Sequence, residues 1–309
     1  MTSYVAGTPV QNDSILEVKS PYDNRVVGTV TLANASHVEQ AIQAGLKGGK
    51  ALTRYDRFSI LDKARQLLIA RKDQFAQTIS AESGLAIREA NYETGRAHDV
   101  LLFAAMESLK DDGQIFSCDI SPQGVHKLAP ALAVGTPVIL KPSEKTPLTA
   151  ILLTELLYEA GLPHYMLSTL LGPTKEIAEP LVKDPRVDIV SFTGSVAVGK
   201  HIASSVGYKK VILELGGNDP LIIMEDADMD TAVHLAAEGS FRNSGQRCTA
   251  VKRILIHEKI KDAFLEKFLE KAKTYTCGDP ADPETKVGTV IDEPAAIYLE
   301  SVVNKAVEQ

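Results

Sequence analysis

Several residue types are scarce in this sequence of 309 residues, and each scarcity argues against a class of protein. Cysteine occurs only three times, at Cys118, Cys248 and Cys277, so no disulfide framework is expected and a reducing cytoplasm is the default location. Basic residues are outnumbered, with a formal net charge of -7. Since no Lys/Arg-rich run with interleaved aromatics occurs either, no nucleic-acid partner is predicted.

Long apolar runs are also missing. The longest, Ala129 to Leu140, contains Gly135 and Pro137 and is too short to span a bilayer, so no membrane partner is predicted. The first residues lack the basic flank and apolar core of a secretory signal. The seven histidines include no pair at the one-turn helical spacing of a zinc site, and no metal is predicted.

The first third of the chain has the pattern of two strands followed by helices. Residues 15–18 and 26–31 alternate as strands do. A helix is expected from Ala35, with Ser36 as its cap because Glu39 follows three residues later. Further amphipathic helices are predicted at 54–69, 72–82 and 87–110.

From Asp111 onward, predicted strands alternate with helices, which favours an α/β fold with a parallel sheet covered on both faces. The strands are at 115–120 (followed by a turn at 121–124), 136–141, 166–171, 187–192 and 210–215, with helices at 125–133, 148–160, 174–183 and from Val196. A second region follows Leu215, with strands at 220–224 and 252–256 and helices at 228–242, 260–273 and 294–307. Such sheets bind ligands beyond the carboxyl ends of their strands.

Two polar segments, Lys141-Pro-Ser-Glu144 and Phe192-Thr-Gly-Ser195, fall at these strand ends, which suggests a nucleotide site. Lys141 could pair with phosphate or ribose, or end a strand in water. Glu144 could accept from ribose hydroxyls, or lie in an exposed loop. Gly194 and Gly199 do not form the six-residue dinucleotide fingerprint, although a glycine turn before a helix can hold phosphate. A tight strand-to-helix turn is the alternative.

The segment around Cys248 carries the candidate chemistry. A lone cysteine is usually a small buried hydrophobe, but the flanks here are polar and charged. A thiol is nucleophilic only as thiolate, which positive charge from Arg247, Lys252 or Arg253 would favour. Glu214, on a turn rich in glycine, is a carboxylate that could act as a base on the thiol or on a later water.

Four segments occur in an order and at separations that resemble the aldehyde dehydrogenase superfamily: Lys141-Pro-Ser-Glu144, Phe192-Thr-Gly-Ser195, Glu214-Leu-Gly-Gly217 and Gly245-Gln-Arg-Cys248. The resemblance implies a parallel Rossmann-type cofactor sheet within residues 1–215 and an incomplete α/β catalytic domain at 216–309. It implies Cys248 as the nucleophile that forms a thiohemiacetal, and Glu214 as the base for hydrolysis. The implied cofactor contacts are Lys141, Ser143, Glu144, Gly172, Gly194, Ser195 and Gly199.

The same resemblance bears on cofactor and substrate. Glu144 favours NAD because a carboxylate repels a 2′-phosphate, while Lys141 and Lys145 leave NADP possible. The chain is most similar to members that oxidise small anionic aldehydes, phosphonoacetaldehyde first and glyceraldehyde 3-phosphate as the alternative. Arg96 and Arg247 are the implied contacts to the anionic group, since guanidinium makes bidentate, charge-assisted bonds. For Arg96, a solvated charge on the helix surface is the competing interpretation.

Two departures from the family pattern produce a second hypothesis. A segment that carries the asparagine of the oxyanion hole is missing near 124/125, and losing one such donor typically costs about 2.7–4 kcal/mol. The chain also stops before the family's last third, which includes strands used in homo-oligomer assembly. An inactive remnant that at most binds NAD is therefore the alternative to an active dehydrogenase.

Overall fold

The computed structural model describes residues 1–110 and 125–308. The predicted strand 115–120, the turn at 121–124 and Cys118 lie outside these residues. The strands are β1 (Tyr4–Val5), β2 (Thr8–Pro9), β3 (Ile15–Lys19), β4 (Val26–Thr31), β5 (Val138–Leu140), β6 (Leu167–Thr169), β7 (Ile189–Thr193), β8 (Lys210–Glu214), β9 (Pro220–Ile223) and β10 (Arg253–Ile256).

The helices of the described residues follow the predicted ones closely. They are α1 (Ala35–Lys47), α2 (Arg54–Ala70), α3 (Lys72–Ser83), α4 (Ile87–Ser108), α5 (Val125–Ala133), α6 (Leu148–Glu159), α7 (Ala178–Lys183), α8 (Val196–Ser205), α9 (Met229–Phe241), α10 (Lys261–Lys273) and α11 (Glu293–Val307). None of those described is long and apolar enough to cross a membrane.

The α/β class and the predicted parallel strand pairs are confirmed, and one sheet also contains antiparallel pairs that were not predicted. Three strand pairs are parallel: β5 with β6, β7 with β8, and β9 with β10. A four-stranded sheet has the order β2-β1-β6-β5, and β1 is antiparallel to β6 through Tyr4 and Thr169. The pair β7–β8 forms its own sheet, and no strand within residues 1–110 and 125–308 joins it to β5.

One helix cap and one helix start differ from expectation for local reasons. Asn34, not Ser36, caps α1: its side chain accepts from the Ser36 N–H at 3.1 Å, and its own N–H donates to His37. Because the helix begins at Ala35, Ser36 already lies in the first turn. The helix α7 begins four residues late, since Pro173 starts separate turns in which its carbonyl accepts from Ile177 N–H at 3.0 Å.

The buried residues fall into several clusters. The largest joins α2, α4, α5 and α6 around Leu61, Leu101 and Leu156, each at most 1% exposed. Burying one such side chain stabilises the fold by roughly 1.5–3 kcal/mol. A separate cluster around Ile223 and Phe264 packs α9 and α10 on the β9–β10 pair. The predicted boundary near 215 therefore has a core on each side, although the division into domains stays a prediction.

One buried carboxylate replaces a missing helix cap. Pro147 precedes α6 and supplies no side-chain cap. Glu82 of α3, only 2% exposed, instead accepts from the backbone N–H of Leu148 at 2.7 Å and of Thr149 at 3.0 Å, and from the Thr149 hydroxyl. Burial raises the pKa of the Glu82 carboxyl and these hydrogen bonds oppose the shift. A carboxylate at this point also complements the helix dipole.

Candidate active site

Two parallel strands deliver the carboxylate. In the β7–β8 register Thr193 is paired with Glu214, so both strands end at the same edge. The following residue, Gly194, donates its N–H to the Glu214 carbonyl at 3.1 Å. The alternating exposure along each strand places the Ser191, Thr193 and Glu214 side chains on one face.

The thiol follows a tight turn after α9. Residues Asn243, Ser244 and Gly245 all have positive φ, at 53°, 52° and 70°. This backbone suits glycine and is unusual for the other two. Cys248 follows this turn, after Gln246 and Arg247, and is half-buried. Its carbonyl accepts from the Lys252 ammonium at 2.8 Å, which ties the turn to the start of the following strand.

These two segments line one cleft of about 260 Å³, slightly below the roughly 300–1,000 Å³ that is usual for ligand pockets. It is lined by Thr193, Gly194, Glu214, Leu215, Gly216, Gly245, Gln246, Arg247 and Cys248. Cys248 and Glu214 thus line the same cleft at the carboxyl ends of β7 and β8, and their roles as nucleophile and base stay predictions. Within the described residues no group of three His, Cys, Asp or Glu side chains could hold a metal ion.

A lysine that the sequence did not single out stands beside this face. The Lys127 ammonium of α5 donates to the Ser191 hydroxyl at 2.8 Å. Burial lowers the pKa of Lys127, and the charge of Glu214 acts in the opposite direction. The alternation along β7 predicts Ser191 on the Glu214 face, but nothing in the sequence indicates that α5 reaches it.

Arginine and glutamate side chains from α4 and the cysteine turn form a charged cluster. The Arg242 Nε lies 2.6 Å from Glu89 Oε2, and the Arg96 Nη1 lies 3.0 Å from Glu93 Oε1. The guanidinium groups of Arg242 and Arg96 also approach the Tyr92 ring, at 4.0 and 5.6 Å from its centroid. Arg96 is therefore an ion-paired, half-buried residue, and its contact with a substrate anion stays a prediction.

Arg247 is the member of this cluster that reaches the cleft. Its Nε is buried and has no hydrogen-bond partner, and its Nη2 makes one long bond, 3.4 Å, to the Gly239 carbonyl. Burial lowers the pKa of the guanidinium, and the nearby charge of Arg242 lowers it further. An arginine still stays protonated at neutral pH. A half-buried cation therefore lines a cleft that also contains a thiol and a carboxylate.

The predicted positive field around Cys248 is less extensive. Arg253 donates from Nε and Nη2 to the Asn218 carbonyl, at 3.2 and 2.9 Å, and thereby fixes the glycine-rich turn after β8. Lys252 makes contacts with four oxygen atoms, of Asp219, Arg247, Cys248 and Ala250. Both cations hold loop backbone, and only Arg247 among the three lines the cleft.

The predicted cofactor residues at the end of β5 form a small polar group. The Lys141 ammonium donates to the Pro142 carbonyl at 3.2 Å and lies 3.9 Å from Glu144 Oε1. Burial lowers the Lys141 pKa, opposed by the Glu144 charge. The Ser143 hydroxyl accepts from Lys145 N–H at 3.1 Å.

Ser195 caps α8, accepting from Val198 N–H at 3.3 Å, so Gly194 and Ser195 stand at an exposed helix N-terminus. Two predicted cofactor glycines have packing roles of their own. A Cβ on Gly172 would lie 2.6 Å from the Ala33 carbonyl oxygen, and one on Gly199 would lie 2.5 Å from Leu215. A side chain at position 172 would meet backbone, whereas one at position 199 would require the Leu215 side chain to move.

The family model for the aldehyde dehydrogenase family matches residues 8–124 and 121–309, which together span nearly all of this chain. The chain belongs to the aldehyde dehydrogenase family.

Curated aldehyde dehydrogenases resemble the chain throughout. A 3-sulfolactaldehyde dehydrogenase of Priestia aryabhattai is 35% identical over 335 residues, covering 99% of this chain and 70% of that protein. A lactaldehyde dehydrogenase of Methanococcus aeolicus is 31% identical over 328 residues, again with 70% of the relative covered. Each match is longer than the 309 residues of this chain, so part of each relative has no counterpart within the matched region.

Solved aldehyde dehydrogenases share the fold. An NADP-dependent enzyme of E. coli superimposes with a TM-score of 0.93 at 28% identity, covering 99% of this chain and 70% of that one. A betaine aldehyde dehydrogenase of Staphylococcus aureus in complex with NAD⁺ gives 0.90 at 28% identity, with coverages of 98% and 68%. The fold of the chain is therefore that of an aldehyde dehydrogenase.

Two residues that line this cleft were predicted only as members of sequence motifs, without a role of their own. Thr193 and Gln246 line it beside Glu214 and Cys248. Position supplies the signal for both: Thr193 ends a strand on the Glu214 face, and Gln246 lies two residues before the thiol. Arg242 was missed because an arginine before a polar turn has no distinguishing pattern.

Proposed function

We propose that this chain oxidises a small aldehyde bearing an anionic group to its carboxylic acid, with NAD as acceptor and NADP as the alternative. The observation that carries the proposal is that Cys248, Glu214 and Arg247 all line one small cleft. The relatives named for sulfolactaldehyde and lactaldehyde support a small polar substrate. Phosphonoacetaldehyde and glyceraldehyde 3-phosphate belong to the same chemical class.

In the first half-reaction Cys248, as thiolate, adds to the aldehyde carbon, and the carbonyl oxygen takes a proton to give a thiohemiacetal. Bound NAD(P)⁺ supplies the hydride acceptor. As the C–H electron pair leaves with that hydride, the hydroxyl proton is released and the carbon becomes a thioester on Cys248. The covalent bond divides the oxidation into two easier steps.

In the second half-reaction Glu214 removes a proton from water, which adds to the thioester carbon. The C–S bond then breaks, the acid leaves, and Cys248 returns to the thiolate. Water and the aldehyde are thereby converted to the acid, a hydride on the cofactor and a proton. Lys127, whose ammonium donates to the Ser191 hydroxyl on the same strand face as Glu214, is the cation that stands beside this carboxylate.

The residues at the strand ends fit a dinucleotide. The first N–H groups of a helix have no partner within it. Ser195 caps one of those of α8, and the first turn is open, with Val196 43% and Val198 45% exposed. Phosphate oxygens suit such a terminus. Lys141, Ser143 and Glu144 offer a cation, a hydroxyl and a carboxylate for ribose hydroxyls, and the NAD⁺ complex of the Staphylococcus relative supports the same cofactor.

The test is NAD(P)H formation from 3-sulfolactaldehyde and phosphonoacetaldehyde by the full chain. Cys248→Ser is expected to abolish it, whereas Cys277→Ser, at an exposed thiol, should leave it unchanged. Glu214→Gln should give a burst of one NAD(P)H per chain and little steady turnover, because the thioester then persists. Equal steady rates in parent and Cys248→Ser would overturn the proposal.

A second outcome has its own support. The matched regions of the relatives contain residues that this chain lacks, and the two family-model matches meet at 121–124. If that gap removes the oxyanion asparagine, acylation is expected to slow by the ~2.7–4 kcal/mol typical of one donor. NAD binding by calorimetry without turnover of any aldehyde would identify a chain that binds the cofactor but does not catalyse the reaction.

A further inference from the structure

A short segment, residues 288–292, is hydrogen-bonded to the turn that carries the thiol; we call it the strap. Gln246 makes two of these contacts: its side-chain N–H₂ donates to the Thr289 carbonyl at 3.3 Å, and its side-chain oxygen accepts from Ile291 N–H at 2.9 Å. The Ser244 hydroxyl adds a bond to the Gly288 carbonyl at 3.1 Å. The cysteine turn and the strap are thus fixed to each other by side chains on either side of Gly245.

This turn is one that needs support. Asn243 and Ser244 have φ near +50°, in the left-handed region that residues with side chains rarely adopt. Such backbone persists where surrounding contacts fix it. Within the turn, Asn243 contributes a side-chain bond to the Gln246 carbonyl at 3.2 Å. The strap supplies the contacts from outside, through Ser244 and Gln246.

The strap is itself held at both ends. Near its start, Thr289 N–H donates to the Gly84 carbonyl at 3.0 Å, at the turn between α3 and α4. At its end, Asp292 caps α11 and pairs with the Lys145 ammonium at 3.2 Å. Lys145 directly follows Glu144 of the proposed cofactor group. One segment therefore connects the β5 end, the α3–α4 turn and the cysteine turn.

We propose that Gln246 is a positioning residue for the Cys248 thiol, acting through its two hydrogen bonds to the strap. It holds the strained turn in the conformation that presents Cys248 to the cleft. The effect of Gln246 on catalysis rests on the proposed function, but its effect on the position of the thiol does not depend on turnover. Without the bonds, the turn samples conformations in which the thiol is displaced from the cleft.

The test is alkylation of Cys248 by iodoacetamide, measured on its own peptide by mass spectrometry and followed against pH without substrate. Gln246→Met removes both bonds while keeping the side-chain length. It should change the Cys248 rate roughly fivefold or more and shift its pH profile, whereas labelling of Cys277 stays constant. Gln246→Glu, which keeps the acceptor for Ile291 N–H, should give a smaller change. Gln77→Met, at an exposed position of α3, is the matched control.

Unchanged Cys248 labelling and kcat/KM in a folded Gln246→Met protein would overturn the inference. If Gln246→Met does not fold, unchanged labelling in Gln246→Glu would overturn it equally. A further arm adds Ser244→Gly to Gln246→Met: glycine accepts positive φ without support, so the parental pH profile should partly return. If the parent oxidises no aldehyde, the proposed function fails, while the labelling comparison still decides the role of Gln246.

Discussion

Replacing Arg247 by glutamine should change which aldehydes the protein accepts more than how stable it is. Arg247 lines the cleft and is half-buried, whereas Arg242 and Arg96 already pair with glutamates. An anionic substrate group in the cleft would pair with the Arg247 guanidinium. Charge-assisted hydrogen bonds contribute about 1.5–3 kcal/mol, which corresponds to roughly a 10- to 150-fold loss in kcat/KM when the cation is removed.

The two relatives suggest a matched pair of substrates for this measurement. 3-Sulfolactaldehyde and lactaldehyde differ by a sulfonate, so the ratio of their kcat/KM values isolates the contribution of the anion. Arg247→Gln should lower this ratio by at least about tenfold. Arg25→Gln, at a side chain that is 66% exposed, should leave the ratio unchanged.

The stability of the same variant provides a check on the reasoning. Burial lowers the pKa of Arg247, which means that folding disfavours its charged form. Removing the charge should therefore leave the melting temperature unchanged or raise it. An unchanged ratio, in which kcat/KM falls equally for both aldehydes or does not fall at all, would refute an anion-binding role. A lower Tm with loss of all activity would show that Arg247 holds the turn and does not bind substrate.

Two further predictions concern the scaffold. Glu82→Ala leaves buried N–H groups of α6 without an acceptor, so the free energy of unfolding should fall by about 3 kcal/mol and the Tm by ~5 °C. Calorimetry of this variant beside Gln77→Ala, a change at an exposed position, measures the effect. Equal Tm values for the two variants would contradict the capping role. Hydrogen bonds from Arg186 lower the pKa values of Asp184 and Glu39 to about 2, so the stability they add is present at neutral pH and is lost as pH falls from the ordinary carboxyl range toward 2. The Tm difference between parent and Arg186→Gln should shrink over that range and in high salt; a difference independent of pH would rule out this pairing.

The sequence was sufficient for much of the fold because its patterns are local. Alternation and amphipathic spacing placed most helices and strands within a few residues, including β7 and β8, whose carboxyl ends form the cleft. The features that were not predicted arise from chain segments that are too short to show a periodic pattern. The strand β1 has two residues, yet it pairs with β6 and makes the sheet mixed. Asn34 caps α1 because the helix begins at Ala35, the residue that follows it, so the predicted cap Ser36 lies inside the first turn.

The candidate site was only partly predictable for a different reason. Glu214 and Cys248 belong to motifs with glycine turns, and motif order identified them. The charged cluster joins Glu89 and Arg96 of α4 to Arg242 and Arg247, about 150 positions later in the chain. A helical pattern tells which residues share a face, but not which distant loop that face meets. The contact between Lys127 and Ser191 was missed for the same reason.

The strand arrangement has a consequence for how cofactor binding and chemistry depend on each other. Lys141 stands at the end of β5 in one sheet, whereas Glu214 stands at the end of β8 in another, and no strand of residues 1–110 or 125–308 bridges the two. Side chains make part of the connection: Lys127 to Ser191 at 2.8 Å, and Lys209 to the Val182 carbonyl at 2.5 Å. A continuous sheet would fix the distance between cofactor and thiol through backbone hydrogen bonds. Among residues 1–110 and 125–308 the connection is made by helices and side chains, so loss of the Lys127 contact should weaken turnover more than it weakens NAD affinity.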